Sequence, residues 1–431
     1  MSEDIFESRE YKRSRSAYRL ECMFEYFVTL LVTDAFLAKL LSEIGLSDST
    51  VGIISSVVSL AFLFQLFAIF MVQRITNTKR VAILFHTVGQ LLFMSLYLIP
   101  FLPFAQEYKR MLVVPCILLA YLGNYCINAI IYKWGNSFVD PHKRGAYSAG
   151  KEMLSLISGM VVTVAIGYVM DYFDAMNDTA GGFVFVAIAI FIFSACDFVC
   201  LMLIKNDKME NMARKQETVP MREVIKNTLG NKNFRSIVVM QALWNVAVYF
   251  TTGFLGTYRL SELCFSIGAV QIINLVGVMG RFFLSKPFGA YSDKRSYAKG
   301  IELGIIIAAA AFFINIFTSP AARFLIVAYT LLYNISLAGI NQNLSNITYS
   351  YVDAKYFVQA SAIKNSIAGL CGFGASFAAS RLLSAVQENG NTVFGIEIYG
   401  QQILSAISFV LLIIALIFSK TVIGKQKVMI Q

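Results

Sequence analysis

Residues 139–151, VDPHKRGAYSAGK, and residues 352–364, VDAKYFVQASAIK, align without a gap. Val139-Asp140 matches Val352-Asp353, Ser148-Ala149 matches Ser361-Ala362, and Lys151 matches Lys364. Upstream, Asn128 and Asn341 stand at the same offset, which is close to half of the 431-residue chain. Self-similarity at such a distance marks one structural unit used twice. Both lysines sit in apolar surroundings, so the repeated unit reads as half of a membrane protein. Duplicated membrane halves are a transporter architecture.

Composition supports the membrane reading: 57% of the residues are hydrophobic, 14% are charged and the mean hydropathy is +0.64. A soluble domain carries far more charge. A crossing helix needs about 20 mostly apolar residues, and segments of that kind recur along the whole chain. We expect twelve: 22–41, 50–72, 81–101, 111–132, 146–170 and 182–204 in the first half, then 237–258, 267–285, 301–317, 321–344, 361–383 and 403–418 in the second. The expected fold is an all-α membrane protein of two pseudo-symmetric six-helix bundles. Residues 1–204 form the first, 205–235 a polar central loop, and 236–431 the second bundle and tail.

Lys and Arg accumulate in loops that stay in the cytoplasm. Most of the 36 basic residues fall in the tails, the central loop and every second connection, which places both termini inside. The net charge of +10 is therefore topological and gives no reason to invoke nucleic acid. The first residues mix acids and bases without an apolar core, so no cleaved signal peptide is expected. Seven cysteines without a CxxC pair and two histidines, His86 and His142, give no sign of a metal centre or a disulfide framework. There is no Walker loop for nucleotide-driven pumping, so transport would draw on a gradient. No cofactor and no enzyme activity are expected.

Gly289-Ala290-Tyr291-Ser292-Asp293-Lys294-Arg295 resembles the Gly-x-x-x-Asp-Arg/Lys loop of the major facilitator superfamily. In that family the acid and its basic neighbours latch adjoining helices on the cytoplasmic side, a role the resemblance extends to Gly289, Asp293, Lys294 and Arg295. The matching place in the first half, residues 71–80, keeps Arg74, Lys79 and Arg80 but lacks the Gly and the Asp. Asp140-Pro141-His142-Lys143-Arg144-Gly145 and Asn231-Lys232-Asn233-Phe234 are similar to other stretches of the same superfamily. The resemblance implies that the first, fourth, seventh and tenth helices line a central cavity, helped by the second, fifth, eighth and eleventh.

Charges inside spans are costly, at least about 2.5 kcal/mol each near the bilayer centre. Asp34 lies about 12 Å from the outer end of the first span, at the rise of a helix. It is either a proton-accepting carboxylate or the counter-ion of a buried lysine. Lys151 and Glu152 in the fifth span, Lys364 in the eleventh and Arg281 in the eighth are the other candidates, whereas Asp197 and Glu302 lie on expected outer helices near their cytoplasmic ends. For the lysines, interhelical pairing or snorkelling to the inner surface stands beside a role in charge coupling.

Amides and aromatics concentrate on the helices that would line a cavity. The fourth span carries Asn124, Tyr125 and Asn128, the seventh Trp244 and Asn245, and the tenth Asn334, Asn341 and Gln342. Amides bond hydroxyls in both directions and aromatic faces stack on sugar rings. The alternative is that the amides hold helices together and the aromatics anchor at the interface. The expectation is a monomeric secondary transporter in a bacterial inner membrane that moves a small polar solute, a sugar or glycoside, with protons. A proton-driven drug or metabolite exporter and a transporter-like receptor are the competing readings.

Overall fold

The computed structural model describes residues 6, 8–64, 78–139, 144–205, 221–352, 356–393 and 396–425. They group into two compact units, Met1–Gly45 with Phe64–Thr218, and Leu46–Leu63 with Val219–Gln431.

In the first unit α1 (Arg9–Leu31) and α2 (Asp34–Glu43) precede α5 (Thr78–Leu96), α6 (Gln106–Asn136), α7 (Arg144–Ala175) and α8 (Thr179–Leu203). In the second, the short helices α3 (Asp48–Ser55) and α4 (Val57–Ala61) join α9 (Met221–Leu229), α10 (Lys232–Tyr249), α11 (Leu255–Thr257), α12 (Ile267–Lys294), α13 (Tyr297–Ile316), α14 (Leu325–Tyr349), α15 (Phe357–Glu388) and α16 (Gly400–Thr421). A two-stranded hairpin, Thr392–Val393 with Ile396–Glu397, links α15 to α16.

The internal repeat is visible in the packing. In the first unit α1 packs on α7 and α8, and α5 on α6 and α8. In the second, α10 packs on α15 and α16, and α13 on α14 and α16. The repeated lysines fall at the same place in this scheme: Lys151 and Lys364 are both eighth in helices of 32 residues. Glycine allows one of these pairs to approach closely. A Cβ on Gly123 would lie 2.8 Å from the Phe85 carbonyl oxygen, and one on Gly89 2.5 Å from Asn124 Nδ2, so α5 and α6 meet backbone to backbone.

Helix starts follow from side chains that accept from free N–H groups. Asp178 caps α8 through Gly181, Ser266 caps α12 through Ala269, and Ser296 caps α13 through Lys299. Asn231, in one of the family-like stretches, caps α10 by accepting from Asn233 and Phe234, while its amide donates to the Tyr351 carbonyl.

Among the described residues eight helical segments are long and apolar enough to cross a membrane. They lie at the places of the expected fourth to ninth, eleventh and twelfth spans. α1, α5 and α14 occupy those of the first, third and tenth and are 23, 19 and 25 residues long, more polar but of crossing length. The helices are longer than the apolar windows. α12 runs on to Lys294, so the family-like Gly289–Lys294 stretch is the end of a helix and not a loop. Residues 65–77, which include most of the first-half counterpart, lie outside the described residues.

Among the described residues the second span shows only the short helices α3 and α4, and the first and seventh spans are broken. The first is not one helix: α1 stops at Leu31 and α2 starts at Asp34, whose φ of 48° is left-handed. Aspartate tolerates that region better than most residues, so the chain turns there without glycine or proline. The seventh span passes from α10 through a 3₁₀ turn at Thr252–Phe254 and α11 to a π turn at Tyr258–Glu262. In the π turn Arg259 is buried and donates to Asn274 Oδ1 and Thr330 Oγ1.

Candidate functional site

Within the first unit, α1 carries two carboxylates four residues apart, Glu21 and Glu25, on one helix face. Glu21 is fully buried, and its Oε2 accepts from Cys22 Sγ at 3.1 Å. His86 from α5 and Asp197 from α8 meet it, each 1% exposed, with His86 Nε2 2.7 Å from Asp197 Oδ2. Gln90, one turn along α5, donates to Asn124 Oδ1 at 3.3 Å.

Asn124 is therefore bound inside the bundle, its own amide donating to Ala120. Asn128, one turn on, is exposed and its Nδ2 lies 3.5 Å from Glu25 Oε1. Tyr125 is half-buried with its ring 5.8 Å from that of Tyr121. Lys151 donates to the Tyr18 hydroxyl at 3.2 Å and stands over that ring. Glu152 is exposed, and Asp34 is half-buried at the helix break.

In the second unit Trp244 is 4% exposed and belongs to the main apolar core, with Tyr258, Phe312 and Tyr329. Asn245, also buried, accepts from Gln241. Asn334 donates to the Thr330 carbonyl where α14 passes Gly277 of α12. Asn341 and Gln342 are exposed and make no hydrogen bond with other described residues. Lys364 is 4% exposed, with Thr348 Oγ1 at 3.4 Å as its polar contact. Its ammonium reaches no protein surface, which removes snorkelling for this residue. Arg281 is half-buried on α12. Asp293, Lys294 and Arg295 are exposed without an ion pair among the described residues.

The structure thus sorts the expected amides into two groups. Asn124, Asn245 and Asn334 are bonded within their units, whereas Asn128, Asn341 and Gln342 present amides outward. Asn124→Ala is expected to cost about 1–2 kcal/mol by leaving the buried Gln90 amide without its acceptor. Asn341→Ala and Gln342→Ala should stay within about 0.5 kcal/mol of the parent. Thermal unfolding in detergent separates the two groups.

Residues 22–376 match the sequence model of the Major Facilitator Superfamily. The chain belongs to that superfamily. It is a multi-pass membrane protein and a secondary transporter, not an enzyme. The superfamily fold is shared with a variant of the nucleoside transporter NupG (TM-score 0.69, 13% identity, 94% of this chain and 99% of that one). It is shared also with the peptide transporter POT (TM-score 0.68, 12% identity, 95% and 94%) and with a bacterial metal transporter (TM-score 0.61, 11% identity, 96% and 98%). Comparison with curated proteins found no sequence match.

Sequence reading passed over Glu21, Glu25, Gln90, His86 and Asp197 as site residues. The spacing of Glu21 and Glu25 was the available signal, two acids on one face entering an apolar segment. Asp197 showed as a charge within the sixth span and His86 as one of two histidines, but nothing in the sequence joined them, because only the packing of α5 on α8 does so.

Proposed function

We propose that this transporter moves a small polar organic solute of the sugar or glycoside class by alternating access across a bacterial inner membrane, driven by protons. It works as a monomer with both termini in the cytoplasm. The observation that carries this reading is the outward set of Asn128, Asn341 and Gln342. Asn128 and Asn341 hold matching places in the repeat, on α6 and α14. An outward amide contributes little to folding, while it bonds solute hydroxyls as donor and acceptor. A nucleoside is itself a glycoside, so the fold shared with NupG supports this class at the level of architecture.

Coupling is placed at α1. The Asn128 amide lies against Glu25, so a solute bonded to Asn128 stands beside a carboxylate that can exchange a proton. Glu25→Gln is expected to abolish uptake against a gradient while leaving solute exchange intact. Proteoliposomes loaded with a pH-sensitive dye, screened with sugars, nucleosides, peptides and lipophilic cations, give both readouts. Asn341→Ala and Gln342→Ala should raise KM about tenfold, a loss of about 1.4 kcal/mol. Normal accumulation in Glu25→Gln, together with its loss in Asp34→Asn, would move the coupling to the break in the first span. Lumen acidification by peptides alone would overturn the solute class, and proton movement with lipophilic cations alone would favour the exporter.

A further inference from the structure

We propose that the first unit holds a divalent transition-metal ion, of the Zn²⁺ or Mn²⁺ kind, between Glu21 of α1, His86 of α5 and Asp197 of α8. One ligand atom from each residue lies within 4.8 Å of the others, and all three side chains are at most 1% exposed. The set has more acceptors than donors. Glu21 Oε1, Asp197 Oδ1 and Gln90 Oε1 are buried without a hydrogen-bond partner, and the Gln90 amide stands 3.5 Å from His86 Nε2. Buried acceptors of this kind cost free energy unless something positive satisfies them.

Charge points the same way. With the imidazole nitrogen on a metal and both carboxylates ionised, the three side chains carry two negative charges, the complement of a divalent ion. No lysine or arginine pairs with Glu21 or Asp197 among the described residues. A proton bridges two atoms at a time, whereas a metal ion gathers the imidazole nitrogen and both carboxylates together. One nitrogen with oxygens is a donor set for Zn²⁺ or Mn²⁺, with ligands at about 2.0–2.2 Å. Reaching that geometry asks His86 Nε2 and Asp197 Oδ2, now 2.7 Å apart, to separate by about 0.6–0.9 Å and the widest-spaced ligand atoms to close by about 1 Å, both within the range of side-chain rotations. The ion would tie α1, α5 and α8 together, and α1 and α5 both pack on α8. Among the described residues no second group of this kind occurs.

The inference stands apart from the solute and the coupling ion, and its test needs neither. Full-length protein purified in detergent is incubated with Zn²⁺ or Mn²⁺, desalted, and assayed for metal by mass spectrometry and for thermal unfolding. About one retained ion per chain is expected, with a raised unfolding temperature. Both effects should be lost in Glu21→Gln, His86→Gln and Asp197→Asn. X-ray absorption on the loaded parent should show the outer-shell scattering of a single imidazole beside light-atom neighbours, which decides the matter even if the variants fail to fold. Three results would overturn the proposal: no retained metal in the parent, equal retention in all three variants, or a shell without imidazole scattering, as adventitious surface binding would give. A cluster that changes only the pH dependence of stability, with no metal retained, would be a proton site.

Discussion

Lys364→Met is expected to raise the unfolding temperature and to stop net transport. The lysine is the eighth residue of α15, 4% exposed, with a single long contact to Thr348 Oγ1. A charge with no carboxylate partner among the described residues is expensive in such a place, about 2.5–3.5 kcal/mol on insertion scales. Methionine fills a similar volume and adapts to irregular gaps, so most of that cost should be recovered. In a protein of this size that is a rise of a few degrees. A residue kept at a loss in stability is one that function retains. Net uptake should therefore fall at least tenfold, while Lys364→Arg, which keeps the charge, should retain part of it. Thermal unfolding and proteoliposome uptake on the same preparations check the pair of effects. A variant neither stabilised nor impaired would mean that Lys364 is neither held at a cost to stability nor needed for transport.

The repeat between residues 139–151 and 352–364 survives in the structure as one set of helix pairs used twice, with Lys151 and Lys364 at the same position in their helices. It was legible because a duplicated unit leaves matched residues at one offset. Helix ends were less legible. Hydropathy reports the stretch that suits lipid, while the helix continues for as long as backbone bonds are made, as α12 does through Gly289 to Lys294. The break at Asp34 was hidden because neither glycine nor proline marks it.

Within the site, the residue types were readable and the directions were not. Trp244 and Asn124 have the chemistry of a solute site but face the interior of their units, whereas Asn341 and Gln342 face out. Helices that are apolar all round offer little contrast between faces, so the sequence carries no signal for which way an amide points. The Glu21, His86 and Asp197 group is a stronger case. Its members come from three helices, and only their packing brings them together.

Gly369→Leu should unfold the protein at a much lower temperature, and Gly374→Leu, five positions along the same helix, should not. Gly369 faces α4, where a Cβ would stand 2.1 Å from the carbonyl oxygen of Ser59 and 3.3 Å from Phe62 Cβ. The obstacle is backbone, so no rotamer change relieves it. α15 and the α3–α4 segment would have to part, and they are joined along their length: Ser366 Oγ donates to the Phe62 carbonyl, Ser380 Oγ to that of Ser49, and the Gln387 amide to Asp48. Overpacking at a fixed contact costs about 3 kcal/mol, to which the loss of these bonds adds. Gly374 has nothing within 4 Å of a Cβ, and leucine there gains helix propensity of about 0.5–1 kcal/mol. The comparison holds helix, chemistry and volume constant and changes only what the new side chain meets. Equal unfolding temperatures for the two variants would mean that the α3–α4 segment does not lie against α15.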